Sequence, residues 1–213
     1  MTTDQLIASL SDKVSRVSPH ALNARLVSGL AAGALVAMVA VIVVLGVRPD
    51  LQLAMRGFAF WMKSTYTISL GLGAMYAVSR LAQPVPRSIR GLWLLSIPVL
   101  VLAGIGVGEL AGTPSGEWLA MWLSQSWKVC PWLVLALAVP IFIGLLWSFR
   151  KLAPTRLRAA GAAAGLAAGA WAGTIYCLHC AEVAAIFVLT WYSLGILLAA
   201  AVGALVGPRF IRW

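Results

Sequence analysis

Six stretches of about 20 predominantly apolar residues constrain this chain more than any other feature, at approximately 27–47, 60–80, 91–112, 130–149, 158–178 and 185–206. A helix of roughly 20 residues spans a hydrocarbon core of about 30 Å, and it satisfies its own backbone hydrogen bonds while doing so. Composition agrees. Of the 213 residues, 62% are hydrophobic and 10% charged, against roughly a quarter charged in soluble domains. The expected fold is therefore an all-α membrane protein: a six-transmembrane-helix bundle over residues 19–213, preceded by a short helix of its own over residues 1–18.

The first 26 residues are polar and the first apolar run is of full spanning length, so no cleavable signal peptide is expected. Six crossings put both termini on one side, and the cations indicate which. Lys13, Arg16, Arg25, Arg80, Arg87, Arg90, Arg150, Lys151, Arg156, Arg158, Arg209 and Arg212 flank one set of span ends, and only Arg48, Arg56, Lys63 and Lys128 flank the other. The positive-inside rule then makes both termini cytoplasmic, in a multi-pass protein of the bacterial inner (plasma) membrane. The same distribution accounts for the formal charge of +10 without a nucleic-acid partner, for which no soluble recognition domain is present.

In the N-terminal segment, Thr2 and Gln5 fit a capping box, and Leu6, Leu10, Val14 and Val17 recur at helical spacing. So short a helix is marginal in water, and its apolar stripe needs cover: the inner leaflet of the membrane lipid, or a groove on a soluble cytoplasmic protein. Ser18 and Pro19 read as the cap and first position of the next helix. Ser115 and the apolar positions after it suggest a short helix in the headgroup plane, with Trp118, Trp122, Trp127 and Trp132 as interfacial anchors. Gly161, Gly165, Gly169 and Gly173 form a small-residue ridge that lets another helix approach closely.

Cys177 continues that ridge, and Cys180 follows one turn later. On this topology Cys130, Cys177 and Cys180, with His179 and Glu182, lie at the extracytoplasmic end, where disulfides persist. Ala181 follows Cys180, so there is no c-type haem signature. A quinone-linked thiol oxidoreductase needs two dithiol pairs, which three cysteines cannot form. Four zinc ligands would have to come from Cys130, Cys180, Cys177 or His179, and Glu182, yet adjacent side chains on one helix do not all converge. A reversible disulfide, most simply Cys130 with Cys180, or soft-metal capture by the same thiolates, needs only two residues and no cofactor; plain packing of the cysteines stays open beside them. The alternative function is a multispan transporter or channel with structural cysteines. It lacks the usual mark, an ionisable residue at mid-membrane: Lys63, Glu109 and Lys128 fall near the outer boundary, where they snorkel or pair. No arrangement for hydrolysis is present, and no enzyme is expected.

Short motifs through the chain, T-D-Q-L-I-A-S-L near the start, G-V-R-P-D-L, F-W-M-K at 60–63, S-W-K-V-C at 126–130, A-P-T-R, L-H-C-A-E at 178–182, F-V-L-T-W-Y and the terminal R-F-I-R-W, together resemble the NrsF-like negative regulators of sigma-F, six-span membrane anti-sigma factors. The resemblance implies an extracytoplasmic-function sigma factor held inactive at the inner face. It also implies release when outer-face cysteines meet an oxidant or heavy-metal stress. The two family cysteines match Cys130 and Cys180, while Cys177 looks like an addition. Val183 and Ala184 depart from the acidic or hydroxyl residues that often follow the family's H-C-x-E segment.

Overall fold

The computed structural model describes residues 19–83, 90–149, 152 and 154–211, together with residues 3 and 5. The N-terminal stripe of Leu6, Leu10, Val14 and Val17 lies outside the described residues. Every element among those described is helical. In chain order they are α1 (Pro19–Ala40) continuing into a π-helical turn (Val41–Leu45), a short α2 (Leu51–Ala54) and α3 (Phe58–Leu81). A 3-10 stretch (Arg90–Leu95) then leads into α4 (Ser96–Ala111), and a 3-10 turn (Ser115–Glu117) into α5 (Trp118–Leu123). The chain continues as α6 (Cys130–Phe149), α7 (Leu157–Tyr176), a brief α8 (Ala185–Phe187), a second π-helical turn (Val188–Tyr192) and α9 (Ser193–Phe210).

A helix occupies each of the six expected spans, but among the described residues only four stretches are long and apolar enough to cross a membrane: Ala21–Leu45, Trp93–Ala111, Cys130–Phe149 and Ala185–Phe210. This corrects the expected count of six. The two that fall short, α3 and α7, have a common reason. In α7, 13 of 20 residues are buried, mostly Ala and Gly, and α3 buries Lys63, Ser64 and Thr67 among its packed side chains. Where these two helices meet others, small and hydrogen-bonding residues replace bulky apolar ones, although α3 still carries exposed Phe58, Trp61 and Leu72. The outward surfaces of the other four carry exposed Val36, Val43, Leu100, Ile143 and Leu205.

The predicted glycine ridge forms a helix crossing. A Cβ added at Gly161 would overlap the carbonyl oxygen of Gly203 on α9, so only glycine allows the two backbones to meet. The upper end of the ridge turns to α3, where Gly173 packs on Thr67. A second close crossing, not anticipated, joins α1 to α6, where Gly29 and Gly144 each face the other's carbonyl. Hydroxyls tie the bundle further: Thr174 donates to Thr67 (2.9 Å), the Tyr66 and Ser193 hydroxyls pair at 2.6 Å, and Ser148 donates to the Arg25 carbonyl (2.8 Å).

Candidate functional site

All three cysteines meet at one end of the bundle. Cys130 opens α6, Cys177 caps α7, and Cys180 ends the turn that follows. All are free thiols and buried, at 0%, 0% and 3% exposure. The Cys180 sulfur is close enough to interact electrostatically with both Cys130 and Cys177. The Tyr192 hydroxyl, fully buried, is close enough to interact electrostatically with the same three sulfurs. The π-helical turn over Val188–Tyr192 aims it there, because the extra residue rotates Tyr192 toward α7 while Trp191 turns outward onto Trp122 and Trp127.

The segment after α7 carries four of the five candidate residues, and it is held from three directions. Lys63 of α3, expected to snorkel or pair at the boundary, is instead fully buried; its ammonium donates to the backbone carbonyls of Cys180 (3.0 Å) and Glu182 (2.6 Å). Arg48 donates to the Cys180 carbonyl as well (3.2 Å), and its backbone amide to that of Leu178 (3.1 Å). Among the described residues Arg48 also makes the single ion pair, with Asp50 at 2.6 Å; that hydrogen-bonded guanidinium holds the Asp50 carboxyl below its usual range. His179 turns away from the sulfurs: its Nδ1 donates to the Gly46 carbonyl (2.8 Å), so that nitrogen carries the proton.

Glu182 also points away from the thiols, toward the loop that precedes Cys130. Its carboxylate accepts from the Ser124 hydroxyl, the Ser126 hydroxyl (2.6 Å) and the Gln125 and Ser126 amides (3.3 and 3.2 Å). Partial burial alone would raise its pKa, but these donors to the charged form outweigh burial and hold the carboxyl below the ordinary glutamate value. The grip fixes Ser124 at a φ of 50°, a left-handed conformation costly for a residue with a Cβ. Glu182 therefore fastens the Cys180 segment to the Cys130 segment. Nearby, Glu109 of α4 caps the start of α8 through the Ala185 amide (2.7 Å). The anticipated short helix at 115–123 is present, but its tryptophans also make specific contacts. Trp118 donates to the Leu110 carbonyl (2.9 Å) and Trp122 to the Thr190 hydroxyl (3.1 Å).

Among the described residues no three His, Cys, Asp or Glu side chains are arranged to hold a metal ion. The site unites Cys130, Cys177 and Cys180 and sends His179 and Glu182 to structural contacts on either side. Lys63 and Tyr192 were not singled out as site residues, although a lysine inside the run F-W-M-K-S-T-Y-T was a visible signal, since a cation in a spanning segment asks for partners. Arg48, Ser124 and Ser126 carry no such mark; they join only because separate loops converge.

The described residues thus form a helical bundle with four stretches able to cross a membrane and a clamped thiol cluster at one end. The family model described as negative regulator of sigma F matches residues 10–213, and the chain belongs to that family. It is 38% identical over 213 residues, the whole of both chains, to the probable anti-sigma-F factor NrsF of Azospira oryzae. To the anti-sigma-F factor NrsF of Caulobacter vibrioides it is 35% identical over 215 residues, again the whole of both. These relatives are named as regulators rather than enzymes, and the chain is a regulatory protein of the same kind. No solved structure matches it.

Proposed function

We propose that this protein is an inner-membrane anti-sigma factor that sequesters an extracytoplasmic-function sigma factor on the cytoplasmic side and releases it under oxidant or soft-metal stress, sensed by Cys130 and Cys180. The observation that carries this reading is that those two thiols, one at the start of α6 and one in the turn after α7, are both buried and close enough to interact electrostatically. Full-length likeness to proteins named as anti-sigma-F factors supports the partner. Outward-facing apolar side chains on the four helices long and apolar enough to cross support the membrane. The positive-inside asymmetry of the cations supports cytoplasmic termini, and the stripe of Leu6, Leu10, Val14 and Val17 supplies the sigma-docking surface.

In mechanism, a disulfide or a shared soft metal ion draws Cys130 and Cys180 together. That moves the start of α6 against the segment after α7, where Lys63, Arg48 and Glu182 each hold a share of the load. Helices packed backbone to backbone at Gly161 and Gly29 do not absorb such a shift locally, and it reaches the opposite end. Release follows if the two states differ in sigma affinity; tenfold release takes about 1.4 kcal/mol of coupling. Cys130→Ser and Cys180→Ser should each abolish induction of a sigma-dependent reporter by oxidant while sigma still co-purifies with the solubilised protein. Full induction in both variants would remove the thiols from the mechanism.

A further inference from the structure

A Cys130–Cys180 pair leaves Cys177 without a task, yet Cys177 and Cys180 bracket the sequence C-L-H-C. The two lie on a single turn. Regular helix ends as the Cys177 amide donates to Gly173 (3.1 Å), and the amides of His179 and Cys180 then both donate to the Tyr176 carbonyl (3.0 Å each). On a regular helix, Cβ atoms three residues apart are about 5–6 Å from one another, more than the roughly 3.8 Å a disulfide prefers. The turn after Cys177 is outside regular helix, so it can tighten without breaking one. The Cys180 thiol is close enough to interact electrostatically with both Cys130 and Cys177.

Cys177 is fully buried at a helix C-terminus, both of which disfavour a thiolate, and its thiol donates to the Gly173 carbonyl (3.3 Å). The buried Lys63 ammonium, anchored one turn away by Cys180 and Glu182, supplies positive charge that works against this penalty without outweighing it. The buried Tyr192 hydroxyl is close enough to interact electrostatically with all three sulfurs.

We propose that Cys177 is the exchange partner of Cys180, turning an interhelix Cys130–Cys180 disulfide into a local Cys177–Cys180 one. The Cys177 sulfur attacks the Cys180 sulfur; the bond to Cys130 breaks as the bond to Cys177 forms, and the proton lost by Cys177 ends on the Cys130 thiol. No electrons enter or leave in this step. They left earlier, when two thiols gave two electrons and two protons to a two-electron oxidant. A disulfide confined to one turn no longer ties α6 to the segment after α7, so the bundle returns to its unlinked geometry while the protein stays oxidised. This resets the switch without a reductant, and it rests on the interhelix disulfide of the proposed function.

The test uses the full chain in lipid nanodiscs, oxidised with diamide, with disulfides mapped by mass spectrometry of non-reduced digests. In the unsubstituted chain the Cys130–Cys180 link should form and then decline after diamide is removed, as Cys177–Cys180 accumulates. In Cys177→Ser the interhelix link should persist through that interval. Cys130→Ser and Cys130→Ala, paired so that neither a hydroxyl nor a small cavity decides the result alone, should each form Cys177–Cys180. Two free thiols in both, at the diamide concentration that oxidises the unsubstituted chain, would overturn the exchange. Absence of the interhelix link in Cys177→Ser would instead sink the sensing pair, and the exchange with it.

Discussion

Glu182 and Lys63 do most to hold the thiol segment in place, and they do so through groups that lie far away in sequence. The Glu182 carboxyl is ionised in the fold by donors to its charged form, which places its folded pKa below the ordinary value of 4.5. A depressed folded pKa contributes stability that is present above the unfolded value and lost as pH falls through the folded one. The 124–126 loop should therefore be protected at neutral pH and lose protection progressively below about pH 4.5. Amide hydrogen exchange at Gln125 and Ser126 measures this. Glu182→Gln should exchange faster at neutral pH and show little further change on acidification; a pH profile like that of the unsubstituted chain would dismiss the clamp. At this scale the thiols could be read in the sequence, because cysteines are few and topology puts them at one depth. The clamp could not, since the partners of Glu182 come from a loop 56 to 58 residues away and Lys63 reaches backbone carbonyls 117 and 119 residues away.

Among the helices, the glycine positions separate contacts from open surface. Gly161 on α7 leaves no room for a Cβ against Gly203, whereas Gly104 on α4 has open space around it. Gly161→Leu should cost about 1–3 kcal/mol or more by overpacking. For a chain of this size that lowers the thermal midpoint in detergent by several degrees, at about 2–4 °C per kcal/mol. Gly104→Leu should leave the midpoint unchanged. Equal effects at the two sites would remove the close crossing of α7 and α9. The ridge was legible because one helix carries all four glycines at a four-residue period. Its partner, and the crossing at Gly29 and Gly144, depend on which helices become neighbours. Span positions were legible to within a few residues from apolar runs alone, and the start of α1 at Pro19, well before the apolar run at 27, was legible from the Ser18-Pro19 pair. The number of stretches apolar enough to cross was not legible, because an Ala- and Gly-rich helix and one interrupted by Lys63 match the lipid-facing ones in length but not in hydropathy.

For the whole molecule, hydrogen bonds from Arg48, Lys63, His179 and Glu182 put the loop after α1, the start of α3, the loop before α6 and the segment after α7 at one end of the bundle; the proposed topology has that end extracytoplasmic and the proposed sigma-docking stripe on the other side of the membrane. In a chain otherwise freed of cysteine, a thiol placed by Arg56→Cys should react in intact cells with a reagent unable to cross the inner membrane. One placed by Arg156→Cys should react only after the cells are opened; the reverse pattern would invert the topology. The central claim is that linking Cys130 to Cys180 at one end weakens the hold on sigma at the other. Binding of purified sigma factor to the nanodisc-embedded protein, measured with those thiols reduced and again with the disulfide trapped in Cys177→Ser, tests it most directly. The account predicts a Kd raised about tenfold or more by the disulfide, equivalent to about 1.4 kcal/mol. An identical Kd in the two states would contradict it.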